Sequence, residues 1–205
     1  MAEGLSPRGR PAGLQGEDLI AVAREVFLER GYAGASMDEV AKRAKISKAS
    51  LYRAHPSKSA LYAAVVHQWA AAGRDAMRPA LERLRGSTDT RQGLIELAET
   101  MHAGILSEPV LAMRRLVTAE AESEPEVAAT YLTESWDANI ANLADALSAL
   151  ADAGELRVQD AHAAAEQFTW LVIGAPLNAR LLGGRDDASS RGAAVDLFLA
   201  GYGKR

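Results

Sequence analysis

The chain of 205 residues has no cysteine. That excludes a disulfide framework and any thiolate metal site. Aromatic residues are scarce, at 5% of the chain, so alanine and leucine carry most of the hydrophobic content. Both are among the residues least costly to place in a helix, and the composition favours an all-α fold. No stretch approaches the ~20 consecutive apolar residues of a membrane span, and no signal-like apolar segment stands near the N-terminus. A cytoplasmic location with no membrane partner is expected. Catalytic motifs are missing as well. The four histidines (His55, His67, His102 and His162) are scattered, with no His-Glu-x-x-His pair, glycine-rich phosphate loop or nucleophile elbow. The chain is therefore not expected to be an enzyme, and no cofactor or metal is expected.

Positive charge is short overall, with a formal net charge of -4, which argues against a nucleic-acid partner. Its distribution argues for one. Residues 1–58 hold ten Lys/Arg against seven Asp/Glu, while the remainder holds thirteen against twenty. Between residues 36 and 58 there are six basic and two acidic side chains, and no acid stands between Glu39 and Asp75. Phosphate contact depends on such a local basic patch rather than on net charge.

The first sixteen residues, MAEGLSPRGRPAGLQG, have no apolar period and read as a flexible tail. Arg8 and Arg10 stand beside prolines there, a pattern compatible with either a solvated tail or an arm in a DNA minor groove. From Glu17 the helical period begins, with Leu19, Ala23, Val26 and Phe27 on one face, and Gly31 is placed to end that helix. Ser36 and Glu39 have capping-box spacing for a second helix. Ile46 sits in a tight connection, Ser47 caps a third helix, and Pro56 ends it. Two short helices joined this way make a helix-turn-helix over residues 17–62.

Residues 63–205 read as further helices, about nine in the whole chain. Ser57 caps a long one that Pro79 bends or divides. Others are expected at 88–106, from 107 to about Ser123, from Pro125 to about Gly154, from Asp160 to Leu182, and at roughly 187–201. In the one opened by Pro125, residues Leu132, Trp136, Ile140, Leu143, Leu147 and Leu150 keep a spacing of 4, 4, 3, 4 and 3.

The second helix of a helix-turn-helix enters the major groove with its leading residues near base edges. Here those residues are Ser47, Lys48, Ala49 and Ser50. Ala49 can meet a thymine methyl, Ser50 a base or phosphate, and Lys48 a guanine or phosphate. Tyr52 and Lys58 are placed for phosphates, and Ser36 offers a hydroxyl and free backbone N–H groups to another. Each could equally be a solvated surface residue; taken together they favour a DNA surface.

Residues 23–66, AREVFLERGYAGASMDEVAKRAKISKASLYRAHPSKSALYAAVV, resemble the DNA-binding domain of TetR-family transcriptional regulators. The marks are the Phe27–Tyr32 run, the SMDEVA run from Ser36, and SKASLY followed by PSK. A weaker resemblance to one TetR subgroup extends through RRLVTAEAESEPEVAATY and GELRVQDAHAAAEQF. The resemblance implies an all-helical homodimer that binds a palindromic double-stranded DNA operator, usually as a repressor released by a small effector. It implies DNA contacts at Ser36, Lys48, Ala49, Ser50, Tyr52 and Lys58. Where the family usually has glycine in the turn, this chain has Lys45, which adds a cation beside the DNA at the cost of a left-handed backbone. His55 stands where the family buries a phenylalanine, so a partly buried imidazole is expected. Dimerisation is expected through the last two helices. The helices that line the family's pocket carry Trp69, Met101, Ile105, Trp136, Asn139, Phe168, Trp170 and Asn178, which suit an apolar or aromatic effector. A helical ligand-binding protein or adaptor without operator binding is the alternative.

Overall fold

The computed structural model describes residues 14–185 and 191–204. Arg8, Arg10 and the expected start of the last helix at 187 lie outside the described residues. The chain divides into two compact units, Met1–Val65 and Val66–Arg205.

In the first unit, α1 (Gly16–Gly34) buries Leu19, Ile20, Ala23, Val26 and Phe27, and its regular winding breaks at Gly31, where φ is 68°. Helix α2 (Met37–Arg43) starts where the Ser36 hydroxyl oxygen accepts the Glu39 backbone N–H at 3.2 Å. Only half of the expected capping box forms. The Glu39 carboxylate turns to Arg43 (2.6 Å) and Arg30 (3.5 Å) instead of back to Ser36, because two guanidinium groups outcompete one amide.

Helix α2 closes in a Schellman motif. Ile46 N–H donates to the Ala41 carbonyl (3.0 Å) and Lys45 N–H to that of Lys42 (3.2 Å). The motif demands a left-handed residue, and Lys45 supplies it with φ at 57°. Helix α3 (Lys48–Ala54) follows, its Ser47 cap accepting the Ser50 N–H at 3.1 Å. Leu51 is its one fully buried residue, and so α3 is pinned from beneath at a single point. Phe27, Tyr32 and Tyr62 pack as a ring trio with centroids 5.0–6.0 Å apart.

Helix α4 (Lys58–Arg85) begins at Ser57, whose hydroxyl accepts the Ala60 N–H. It runs on through Pro79 without division; the proline removes one ladder bond from a long helix. In the second unit α5 (Thr90–Ile105) is capped by Asp89, and α6 (Glu108–Ala119) carries Pro109 in its first turn. Helix α7 (Pro125–Tyr131) passes through a π-helical turn, Leu132–Asp137, into α8 (Ala138–Asp152). Then come α9 (Ala161–Leu181), capped by Asp160, and α10 (Arg191–Tyr202). With α7 and α8 counted as one rod, nine helical rods are present among the described residues. The only β pairing among them is an isolated bridge between Leu156 and Gly203.

The π turn corrects the spacing read from the sequence. Its extra residue shifts the helical phase, so Tyr131 is buried while Leu132 is 52% exposed. The core of this unit joins α5, α8, α9 and α10 around Leu97, Leu147, Phe168, Ile173 and Phe198.

A left-handed non-glycine residue costs about 1–2 kcal/mol. Lys45→Gly is expected to stabilise the first unit by about 1 kcal/mol, measured by urea denaturation.

Candidate nucleic-acid interface and effector cavity

The first unit exposes the leading face of α3. Lys48, Ala49 and Ser50 are all exposed, and Tyr52 is 47% exposed. Ser36 at the head of α2 and Lys45 in the turn are exposed too. Small residues at the front of α3 leave room for close approach, and the buried Leu51 fixes which side faces outward. Neighbouring side chains hold parts of this surface in place. The Lys48 ammonium pairs with Asp38, and the Ser47 and Ser50 hydroxyls lie 2.8 Å apart.

Lys58 differs from expectation. Its ammonium turns inward, donating to the carbonyls of Tyr32 (2.8 Å) and Ala35 (3.3 Å) and lying 4.4 Å from the Tyr32 ring centroid. It caps the end of α1, where orphan carbonyls attract a cation, instead of facing outward for a phosphate.

Arg43 bridges Glu29 (2.7 Å) and Glu39 (2.6 Å), joining α1 to α2. Its hydrogen bonds hold both carboxyls below their ordinary range, and theirs raise its own pKa. His55 is half-buried beside a groove lined by Leu19, Ala41 and Ile46. Burial pushes its imidazole below the usual 6.5, as expected for a ring in place of a phenylalanine.

The second unit contains a cavity of about 160 Å³ walled by α4–α9 and the π turn. Of the eight positions named from the sequence, five line it: Trp69, Met101, Ile105, Trp136 and Asn139. The other three do not. Phe168 is fully buried against Phe198, ring centroids 5.1 Å apart. Trp170 is 53% exposed and braces Trp136 at 5.3 Å. Asn178 is exposed. The cause is helical phase: successive residues on α9 are turned by about 100°, and Thr169 is the one that reaches the cavity.

Sequence reading missed Arg114, whose guanidinium carbon lies 5.0 Å from the Trp136 ring centroid, and the wall residues Tyr131 and Ser135. The arginine pair at 114–115 was visible, but only the fold shows which one faces inward. On the π turn, Glu134 pairs with His67 (2.7 Å) and Arg74 (3.8 Å), and Arg74 also donates to the Glu134 carbonyl. The carboxylate partner of His67 thus comes from a distant segment rather than from its own helix.

The first unit thus presents a capped helix-turn-helix with an exposed leading face, and the second a helical bundle with its own cavity. Residues 19–65 match the tetR family of bacterial regulatory proteins, and residues 92–204 match the AefR-like transcriptional repressor C-terminal domain. The chain belongs to the TetR family. The HTH-type transcriptional activator FasR of Mycolicibacterium smegmatis is 38% identical over 111 residues, covering 54% of this chain and 49% of FasR. The chain thus spans about half the length of that curated relative. A TetR-family regulator of Mesorhizobium loti superposes with a TM-score of 0.87 at 27% identity, over 91% of this chain and 95% of that one. The flavonoid-responsive regulator FrrA gives 0.74 at 28%, over 91% and 96%. No described helix is long and apolar enough to cross a membrane.

The depressed pKa of His55 sets a sign for stability. Between the folded value and 6.5 the unfolded chain binds more protons. Stability therefore rises with pH through that window and is lost as pH falls towards the folded value. His55→Phe is expected to flatten this dependence, raise the melting temperature and leave DNA affinity unchanged. Denaturation at several pH values, with a mobility shift beside it, checks all three.

Proposed function

We propose that the protein is a homodimeric repressor that binds a palindromic operator and is released by a small effector in its C-terminal cavity. The observation that carries this reading is the exposed leading face of α3 over the buried Leu51 anchor. On it, Ala49 and Ser50 meet base edges, Lys48 reaches a guanine or phosphate, and Tyr52, Ser36 and Lys45 hold the backbone. Lys48 exchanges Asp38 for DNA on binding.

Dimerisation through α9 and α10 is supported by large apolar side chains they leave outside: Leu171, and Leu197 at 61% exposed. An exposed leucine on each of two adjacent helices suits a self-complementary interface. The effector role is supported by a mostly apolar cavity with a few polar groups, the general form of a small-molecule site. FrrA is named for its response to a flavonoid, which agrees with an aromatic effector. Activation in place of repression is the second reading, favoured by the name of FasR. Either mode is consistent with work in the cytoplasm.

A mobility-shift titration with the DNA upstream of the protein's own gene tests the proposal. Binding is expected to weaken steeply with salt through counterion release, with two half-sites about one helical turn apart. Lys48→Ala is expected to lower affinity roughly tenfold and reduce the salt slope by about one per protomer. No shift at any salt would leave an adaptor or ligand-binding role. Leu197→Glu is expected to convert the dimer to monomer in light scattering and abolish operator binding.

A further inference from the structure

The cavity is mostly apolar, yet two of its lining residues each bury a polar atom that makes no hydrogen bond within the protein: Arg114 Nε and Asn139 Oδ1. Their chemistry is complementary. Asn139 Nδ2 donates to the Ser135 carbonyl at 2.7 Å, which fixes the amide's orientation and leaves its oxygen as an acceptor. Arg114 lies over the Trp136 ring, and its Nε–H is a donor on a permanent cation. A buried donor and a buried acceptor left unpaired are both costly, and each points to something that a ligand brings.

Size narrows the occupant. The cavity of about 160 Å³ is close to the ~150 Å³ that accommodates one benzene ring in an apolar protein cavity. Trp69, Met77 and Met101 are among its walls, and both sulfur and indole pack well on aromatic faces. A bare arene would leave both polar atoms unpaired, and an aliphatic monocarboxylate would leave Asn139 Oδ1 unpaired.

We propose that the cavity takes a single-ring hydroxylated aromatic acid. Its carboxylate accepts the Arg114 Nε–H in a charge-assisted bond, its hydroxyl donates to Asn139 Oδ1, and its ring fills the apolar space. The proposal rests on the reading of this cavity as the effector site and adds the chemical class of the effector.

Calorimetric titration of the full chain with 2- and 4-hydroxybenzoate, benzoate, phenol, toluene and decanoate tests it, with operator release measured for each. At least one hydroxybenzoate is expected to bind roughly tenfold or more tightly than benzoate, which lacks the donor, or phenol, which lacks the carboxylate. Asn139→Leu is expected to bring hydroxybenzoate and benzoate within about twofold of each other, and Arg114→Met to do the same for hydroxybenzoate and phenol. Should either variant fail to fold, the ranking in the unaltered protein decides alone. Toluene or decanoate binding as tightly as the best hydroxybenzoate would overturn the proposal and leave the effector site standing. Selectivity unchanged in both folded variants would overturn it too. If no compound binds or alters operator affinity, toluene included, the effector reading itself falls.

Discussion

What the first unit presents to DNA depends on the turn between α2 and α3, where two backbone hydrogen bonds close α2 around a left-handed lysine. That turn sets the direction in which α3 leaves. With Leu51 buried beneath it, only one face of α3 can look outward. At the matching ends of α8 and α9 the left-handed residues are Gly154 and Gly183. The same geometry is thus reached without backbone strain at those two ends, and with strain at Lys45, which keeps an exposed cation in the turn.

The ion network around Arg43 supports the same surface differently. Glu29 and Glu39 are exposed enough that their pairing is screened by solvent and salt, so its contribution is to position as much as to stabilise. Arg43 and Arg30 neutralise Glu29 and Glu39, as Lys48 does Asp38. Lys42, Lys45 and Arg53 stay exposed, and the local field stays positive on an acidic protein.

Much of this was legible in the sequence because it is local. The caps at Ser36, Ser47, Ser57 and Asp160, the stop at Gly31 and the left-handed Lys45 each depend on a handful of neighbouring residues. What was not legible depends on partners far along the chain. Glu39 matched a capping box, yet Arg43 and Arg30 claim it. Lys58 looked like a phosphate ligand, yet the carbonyls of Tyr32 and Ala35 hold it. On α9 the helices that wall the cavity were foreseen, but choosing Thr169 over Phe168 or Trp170 needs the rotation of a helix about its axis, and apolar residues nearly all round α9 give no signal of it. The π turn was invisible for a related reason: the spacing from Leu132 to Leu150 fits an uninterrupted α-helix.

The π turn also bears on how a cavity of this kind can diverge. A π turn holds one residue more than the α-helical ladder around it requires. Losing that residue would let α7 run into α8 as one regular helix, and everything before the deletion would rotate by about 100° about the axis. Tyr131, now in the cavity wall, would swing away, and the bond between Arg74 and the Glu134 carbonyl would lose its register. Chain length at this one place is therefore a variable on which ligand selectivity can act, separate from the identity of any side chain. Two relatives with the same lining residues but a different count between Tyr131 and Ala138 would enclose differently shaped spaces.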